Sequence, residues 1–279
     1  MSNNVGTMVH YKVGVDLVKK FRQCQEIGIN SCQLNIWDTK IFTNDEHVAI
    51  VNSAIAETGI TVSSLWAGYS GPCEWNFTQG PLTLGLVPPA YRGIREKELL
   101  KASEFAAKIN CVNIATHVGF IPENYHDPEF WGTVGVLRGI CRTLKARGQN
   151  FLFETGQETP VTMLRTIEAI GLDNVGINFD TANLVLYGKG NAADAVLVFG
   201  KYIMDTHIKD GNYPVNGIEL GDETAVGEGM ANFPLILQRL KDCGYTGPFT
   251  IEREISGDQQ TKDIIKARDM LLDIEKELN

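Results

Sequence analysis

VGINFDTANL, residues Val175 to Leu184, reads as a buried strand that ends on a carboxylate: Val175, Ile177 and Phe179 alternate with smaller or polar residues and lead into Asp180 and a polar turn. Three other strand-like runs end on a side chain able to bind a metal: NFLFE at Glu154, YIMDTH at His207 and GPFTIE at Glu252. In parallel α/β folds, ligands collect at the carboxyl ends of the strands, where loops carry function on a rigid frame. Whether these four ends meet decides what the chain does.

Outward from that stretch, strands and helices alternate along the 279 residues. Strands are expected at Val9–Val15, Ser31–Ile36, Ile60–Trp66, Cys111–Thr116, Asn150–Glu154, Val175–Asp180, Tyr202–His207 and within GPFTIE. Helices are expected from Asp16 to a stop at Gly28, then at 44–58, 92–109, 128–147, 160–170, 192–199, 232–243 and 261–278. Pro160 suits a first helical turn, where a missing N–H costs nothing, and Gly59 and Gly244 close helices. Eight alternating pairs imply parallel strands joined by right-handed crossovers. Their number fits one closed (β/α)8 TIM barrel over 1–279, and no GxGxxG or GxxxxGK[ST] loop favours an open doubly wound sheet. The loop GYSGPCEWNFTQGPLTLGLVPP, residues 68–89, is long enough to be a lid or insertion.

Composition narrows the function classes. With 43% hydrophobic and 21% charged residues the chain can fill a sizeable core, and a net charge of −9 argues against general nucleic-acid binding. MSNNVGTMVHYK carries neither a basic start nor an apolar signal core, and no apolar run approaches the ~20 residues that span a bilayer. A cytoplasmic protein without membrane attachment is expected, with a homo-oligomer left open. Six singly spaced cysteines read as small buried thiols rather than disulfides or a zinc knuckle.

Gathered at one barrel mouth, Glu154, Asp180 and Glu252 would repel and raise one another's pKa unless a cation lay between them. With His207 they form an oxygen-rich set with one imidazole, which suits Mn²⁺ first, with Mg²⁺ or Co²⁺ as alternatives. Octahedral coordination by these four side chains would leave two positions open for substrate. Around it, His117, Glu158, Asn183, Lys209 and Trp66 are candidates for substrate binding, and Gln157, Arg253, Trp37 and Trp75 lie at neighbouring loop positions. Lys209 could neutralise a phosphate or an excess carboxylate, and Asp210 could fix the tautomer of His207.

ETGQET, NFDTANL, THIKDG, GEGMANFPLILQRLKDCGY and GPFTIERE together resemble the sugar phosphate isomerase/epimerase superfamily of xylose-isomerase-like barrels. The resemblance is strongest from Asn150 to Ile255. It implies that Glu154, Asp180, His207 and Glu252 bind one Mn²⁺-type ion and that Glu154 and Glu252 also exchange the proton. The superfamily includes D-tagatose 3-epimerase, L-ribulose-5-phosphate 3-epimerase, inosose dehydratase and endonuclease IV. Five histidines cannot complete the three-metal cluster of endonuclease IV. Asn183 stands where D-tagatose 3-epimerase has His, so the chain is similar to L-ribulose-5-phosphate 3-epimerase at that turn. The expected activity is isomerisation or epimerisation of a keto sugar or sugar phosphate. Elimination from a keto-inositol or 3-keto-glycoside at the same site, or a non-catalytic sugar-binding barrel, are the alternatives.

Overall fold

A computed structural model describes residues 5–278; residues 1–4 and 279, included in the expected span 1–279, lie outside the described residues. Eight parallel strands close into a barrel: β1 (Val5–His10), β2 (Ser31–Ile36), β3 (Thr61–Ala67), β4 (Asn113–Thr116), β5 (Asn150–Glu154), β6 (Val175–Asp180), β7 (Ile203–Ile208) and β8 (Phe249–Ile251). Eight principal helices follow them in turn: α1 (Leu17–Glu26), α2 (Asp45–Thr58), α3 (Pro89–Lys108), α4 (Pro128–Ala146), α5 (Pro160–Ile170), α6 (Ala192–Phe199), α7 (Phe233–Asp242) and α8 (Asp258–Leu278). The TIM-barrel expectation therefore holds. Among the described residues, no helix is long and apolar enough to cross a membrane.

Local chemistry sets where the helices begin. Asp16, Asn44, Asp127, Thr159, Asn191 and Asn232 each stand at an N-cap and accept a hydrogen bond from a backbone N–H of the first turn. The first strand departs from expectation. It lies at Val5–His10, because Gly14 turns the chain at φ 84° and Val13 is 64% exposed, so KVGV belongs to the loop that leads into α1. Four cysteines (Cys24, Cys32, Cys111, Cys141) are buried thiols as expected, whereas Cys73 is half-buried and Cys243 exposed.

Strand alternation splits the side chains between two environments. Leu34, Phe151, Phe153, Ile177 and Phe179 point outward into the layer shared with the helices, where Phe21, Phe105, Phe130, Phe199 and Phe233 are also buried. Each such ring contributes about 1.5–3 kcal/mol by leaving water. Inside the barrel, Met8, Trp66, Ala115, Leu152 and Met204 pack together. Polar pairs also cross the interior: Gln33 on β2 reaches Asn178 on β6 at 2.7 Å, and Ser64 on β3 reaches Asp205 on β7 at 2.6 Å. These pairs join non-neighbouring strands, so they cross the barrel itself.

The 68–88 loop is pinned rather than loose. Arg95 on α3 is fully buried and donates to the carbonyls of Ser70, Pro72, Thr83 and Gly85, with its guanidinium over the rings of Tyr69 and Tyr91. Gly85 lies so close to the backbone of residue 118 that a Cβ there would sit 2.0 Å from the Val118 carbonyl. At its tip the loop meets the segment after β7: Phe77 N–H donates to Ile218 O at 2.9 Å, and Asn76 bridges Glu219. Two loops thus lean together over the barrel mouth.

Candidate metal centre

The four strand ends meet. Glu154 closes β5, Asp180 closes β6, His207 lies in β7 and Glu252 follows β8 by one residue. Asp180 and His207 are direct neighbours in the β6–β7 register. One ligand atom from each of Glu154, Asp180, His207 and Glu252 falls within 4.8 Å of all the others. His207 Nδ1 is 2.8 Å from Glu154 Oε1, 3.2 Å from Glu252 Oε2 and 3.8 Å from Asp180 Oδ2.

A directed chain of hydrogen bonds sets the imidazole. Asn178 donates to Glu154 Oε2 and Gln33 Nε2 donates to Asn178 Oδ1; at His207 Nε2 the acceptor Gln33 Oε1 lies at 2.8 Å and the donor Asn178 Nδ2 at 3.1 Å, and the closer contact assigns the proton to Nε2. In the neutral ring this leaves the Nδ1 lone pair facing the carboxylates, the arrangement in which metal-bound histidines donate their other N–H outward. His207 Nδ1 and Asp180 Oδ2 are buried and have no hydrogen-bond partner among the described residues; the 2.8 Å approach of Glu154 is a charge contact without hydrogen-bond alignment. Two orphaned buried atoms aimed at one point, amid three carboxylates, fit a divalent cation.

Charge coupling within the cluster is uneven. Burial pushes Asp180 well above the ordinary carboxylate range, opposed by Lys209 and reinforced by Glu154 and Glu252. Glu252 goes the other way, against the expectation that the carboxylates all raise one another. Burial works upward on it too, but Lys209 at 3.4 Å and His207 hold it well below the usual range. Burial also disfavours a charged His207, yet Glu154 and Glu252 outweigh it and raise the imidazole well above its ordinary value. Opposed shifts of this kind arise where carboxylates, an imidazole and a lysine share one buried site.

The other expected site residues divide. A cavity of about 300 Å³ above the cluster is lined by Trp66, His117, Asn183 and Lys209, together with Trp37 and Trp75. Trp66 Nε1 donates to Glu154 Oε2 at 3.2 Å, fixing that carboxylate from a second side. His117 packs edge-on between Trp66 and Trp75 and pairs with the Gln157 amide; burial lowers its pKa, so the ring is neutral. Asn183 spends its amide N–H on Thr155 O, while its backbone N–H caps Asp180 Oδ1. Lys209 serves carboxylates, lying 3.0 Å from Glu254 and 3.4 Å from Glu252.

Glu158 does not line this cavity; it is buried with Oε1 unpaired, and burial pushes its pKa to about 8. Asp210 does not orient His207. Its carboxylate accepts the N–H groups of Gly211, Gly227, Gly229 and Ala231 and so folds the following loop, where a Cβ at Gly229 would lie 2.3 Å from Asp210 Oδ1. Gln33 performs the orienting role, and Asn178 connects it to Glu154. Arg253 turns away to Asp263 and Glu223.

A family model described as "Xylose isomerase-like TIM barrel" matches residues 21–274. The structure of a xylose isomerase domain protein from Planctomyces limnophilus is similar at 32% identity, with a TM-score of 0.90 and 98% of each chain covered. A structure of 3-keto-D-glucoside 4-epimerase from E. coli covers 98% of this chain and 100% of its own, at 18% identity and a TM-score of 0.71. At that identity the likeness is one of fold, as it is for solved 3-epimerases of D-psicose and L-ribulose. An uncharacterized protein of Methanocaldococcus jannaschii is 25% identical over 181 residues, and the match spans 61% of this chain and 58% of that relative.

Proposed function

The chain belongs to the xylose isomerase-like TIM barrel family, and on that premise we propose that it is a divalent-metal-dependent isomerase or epimerase of a keto sugar or its phosphate. The observation that carries the proposal is the inward-facing, unpartnered Nδ1 of His207 amid Glu154, Asp180 and Glu252. These four residues are the proposed ligands. Three carboxylates and one imidazole favour Mn²⁺, since Mg²⁺ prefers oxygen and retained water. When bound, the cation supplies Lewis acidity that steadies negative charge on the substrate oxygens.

The protein groups divide the remaining work. Glu154 is held at Oε2 by Trp66 and Asn178, and Glu252 is kept ionised by Lys209. The two carboxylates rise from β5 and β8, which lie on different sides of the ring with β6 and β7 between them on one path. A flat enediolate held between them is reached on both faces, so that one carboxylate removes the proton beside the carbonyl and the other returns it to the opposite face. This placement favours epimerisation over transfer along one face. Trp66 and His117 shield the reacting carbon from water. Incorporation of solvent deuterium at the carbon beside the carbonyl, dependent on added Mn²⁺, tests the proposal.

A further inference from the structure

The cavity above the cluster is built for a ligand with no charge of its own. We propose that the substrate is an unphosphorylated carbohydrate whose far end lies against Trp37 and Trp75, an inference that narrows the proposed proton-transfer reading and rests on it. Glu154, Glu252 and Glu254 line the cavity and Asp180 adjoins it, against Lys209 as the one lysine and no arginine among the described lining residues. Four carboxylates against one lysine and one divalent cation leave a negative charge in excess. A phosphate dianion entering this space meets repulsion, not a counterion.

The places where barrels commonly hold phosphate are already occupied. Such sites use backbone N–H groups and cations from the loops after the seventh and eighth strands. After β7, the N–H groups of Gly211, Gly227, Gly229 and Ala231 all point at the Asp210 carboxylate. After β8, Arg253 is held 2.8 Å from Asp263 and 3.1 Å from Glu223. Lys209 is 3% exposed and bridges Glu252 and Glu254.

What the cavity does offer suits hydroxyl groups and C–H faces. Tyr187 Oη and Asn35 Oδ1 are buried atoms of lining residues; the tyrosine hydroxyl has only the Gln157 side chain beside it, and the asparagine oxygen has no hydrogen-bond partner among the described residues. One is a neutral donor and the other a neutral acceptor, a pair that sugar hydroxyls satisfy. Trp37 lies between Trp66 and Trp75, with ring centroids 5.2 Å and 6.4 Å away, and Trp37 and Trp75 are 37% and 39% exposed. Partly exposed indoles at a cavity mouth offer flat apolar surface to a sugar ring.

The test is a titration of the Mn²⁺-loaded protein by intrinsic tryptophan fluorescence, run beside deuterium exchange. Ligands are D-fructose, L-ribulose and methyl glucoside, D-fructose 6-phosphate, L-ribulose 5-phosphate and inorganic phosphate. Each ketose should bind at least about tenfold more tightly than its ester, and inorganic phosphate should not compete. Tyr187→Phe should weaken ketose binding by about tenfold, and Glu254→Lys should narrow the gap by strengthening the ester. An ester bound as tightly as its parent sugar, or no binding of any uncharged sugar, overturns the inference. Ketose binding with no deuterium exchange into any ligand upholds the substrate class and removes the proton-transfer reading instead.

Discussion

Gln33 Oε1 lies 2.8 Å from His207 Nε2, across the barrel from β2 to β7, and as an acceptor it favours the tautomer with its N–H at Nε2 and a bare Nδ1. A side chain 174 positions away thus decides which imidazole nitrogen faces the carboxylates. Replacing it by Leu should leave the ring free to choose its tautomer and lower Mn²⁺ affinity about 10–100-fold, the usual loss when such a partner is removed. Calorimetric titration of Gln33→Leu against the parent protein measures this; an unchanged affinity would show that packing alone orients His207.

Metal binding should be visible as stability. A cation at 100 times its Kd stabilises a native state by about 2.7 kcal/mol. Thermal unfolding in Mn²⁺ and in chelator should therefore differ by several degrees, and His207→Ala should abolish the difference. A shift that survives in His207→Ala would place the binding elsewhere.

Arg95 should be the costliest polar residue to lose. It is fully buried and donates to four carbonyls of the 68–88 loop, so Arg95→Ala leaves those carbonyls without partners. A loss of about 3–5 kcal/mol is expected, as for one partner removed from a buried charged network. Arg95→Lys should recover little of it, because an ammonium cannot span the fork of acceptors. Denaturant unfolding, with limited proteolysis inside 68–88, reports both effects.

Glu158 gives a pH-dependent prediction. Its carboxyl titrates near 8 when folded against an ordinary 4.5, so the folded state holds the proton more tightly than the unfolded chain. Stability from this group is full below about 4.5, falls as pH rises to 8, and is then level. Each unit of such a shift is worth about 1.4 kcal/mol. Glu158→Gln should thus raise the unfolding temperature of metal-free protein at pH 8.5 relative to the parent, with little gain at pH 4.5. An equal gain at both pH values would assign the effect to packing.

Much of this was legible along the chain, for reasons that differ by residue. VGINFD alternates and NFLFE is a short apolar run, and each ends on a carboxylate, so Glu154 and Asp180 announce both their strands and their place at the mouth. The first strand is hidden because VGTMVH mixes glycine and threonine into its pattern, whereas VHYKVGV alternates more cleanly and is partly loop. Gln33 and Asn178 carry a weaker signal. Each is a polar residue at an inward strand position, but their meeting depends on barrel closure, which brings together positions 145 apart. The role of Asp210 could not be read locally either, since three of its four donors arrive from Gly227, Gly229 and Ala231.

The central claim is that Glu154 and Glu252 move a proton at a carbon beside a carbonyl. The direct measurement is proton NMR of D-fructose, and of any better ligand from the binding panel, in heavy water with the Mn²⁺-loaded protein. The parent should wash deuterium into the position beside the carbonyl. Glu154→Gln and Glu252→Gln, shown by metal analysis to retain Mn²⁺ and by thermal unfolding to remain folded, should each lose at least about 10²-fold of that rate. Exchange at the parental rate in either metal-loaded variant would contradict the two-carboxylate account.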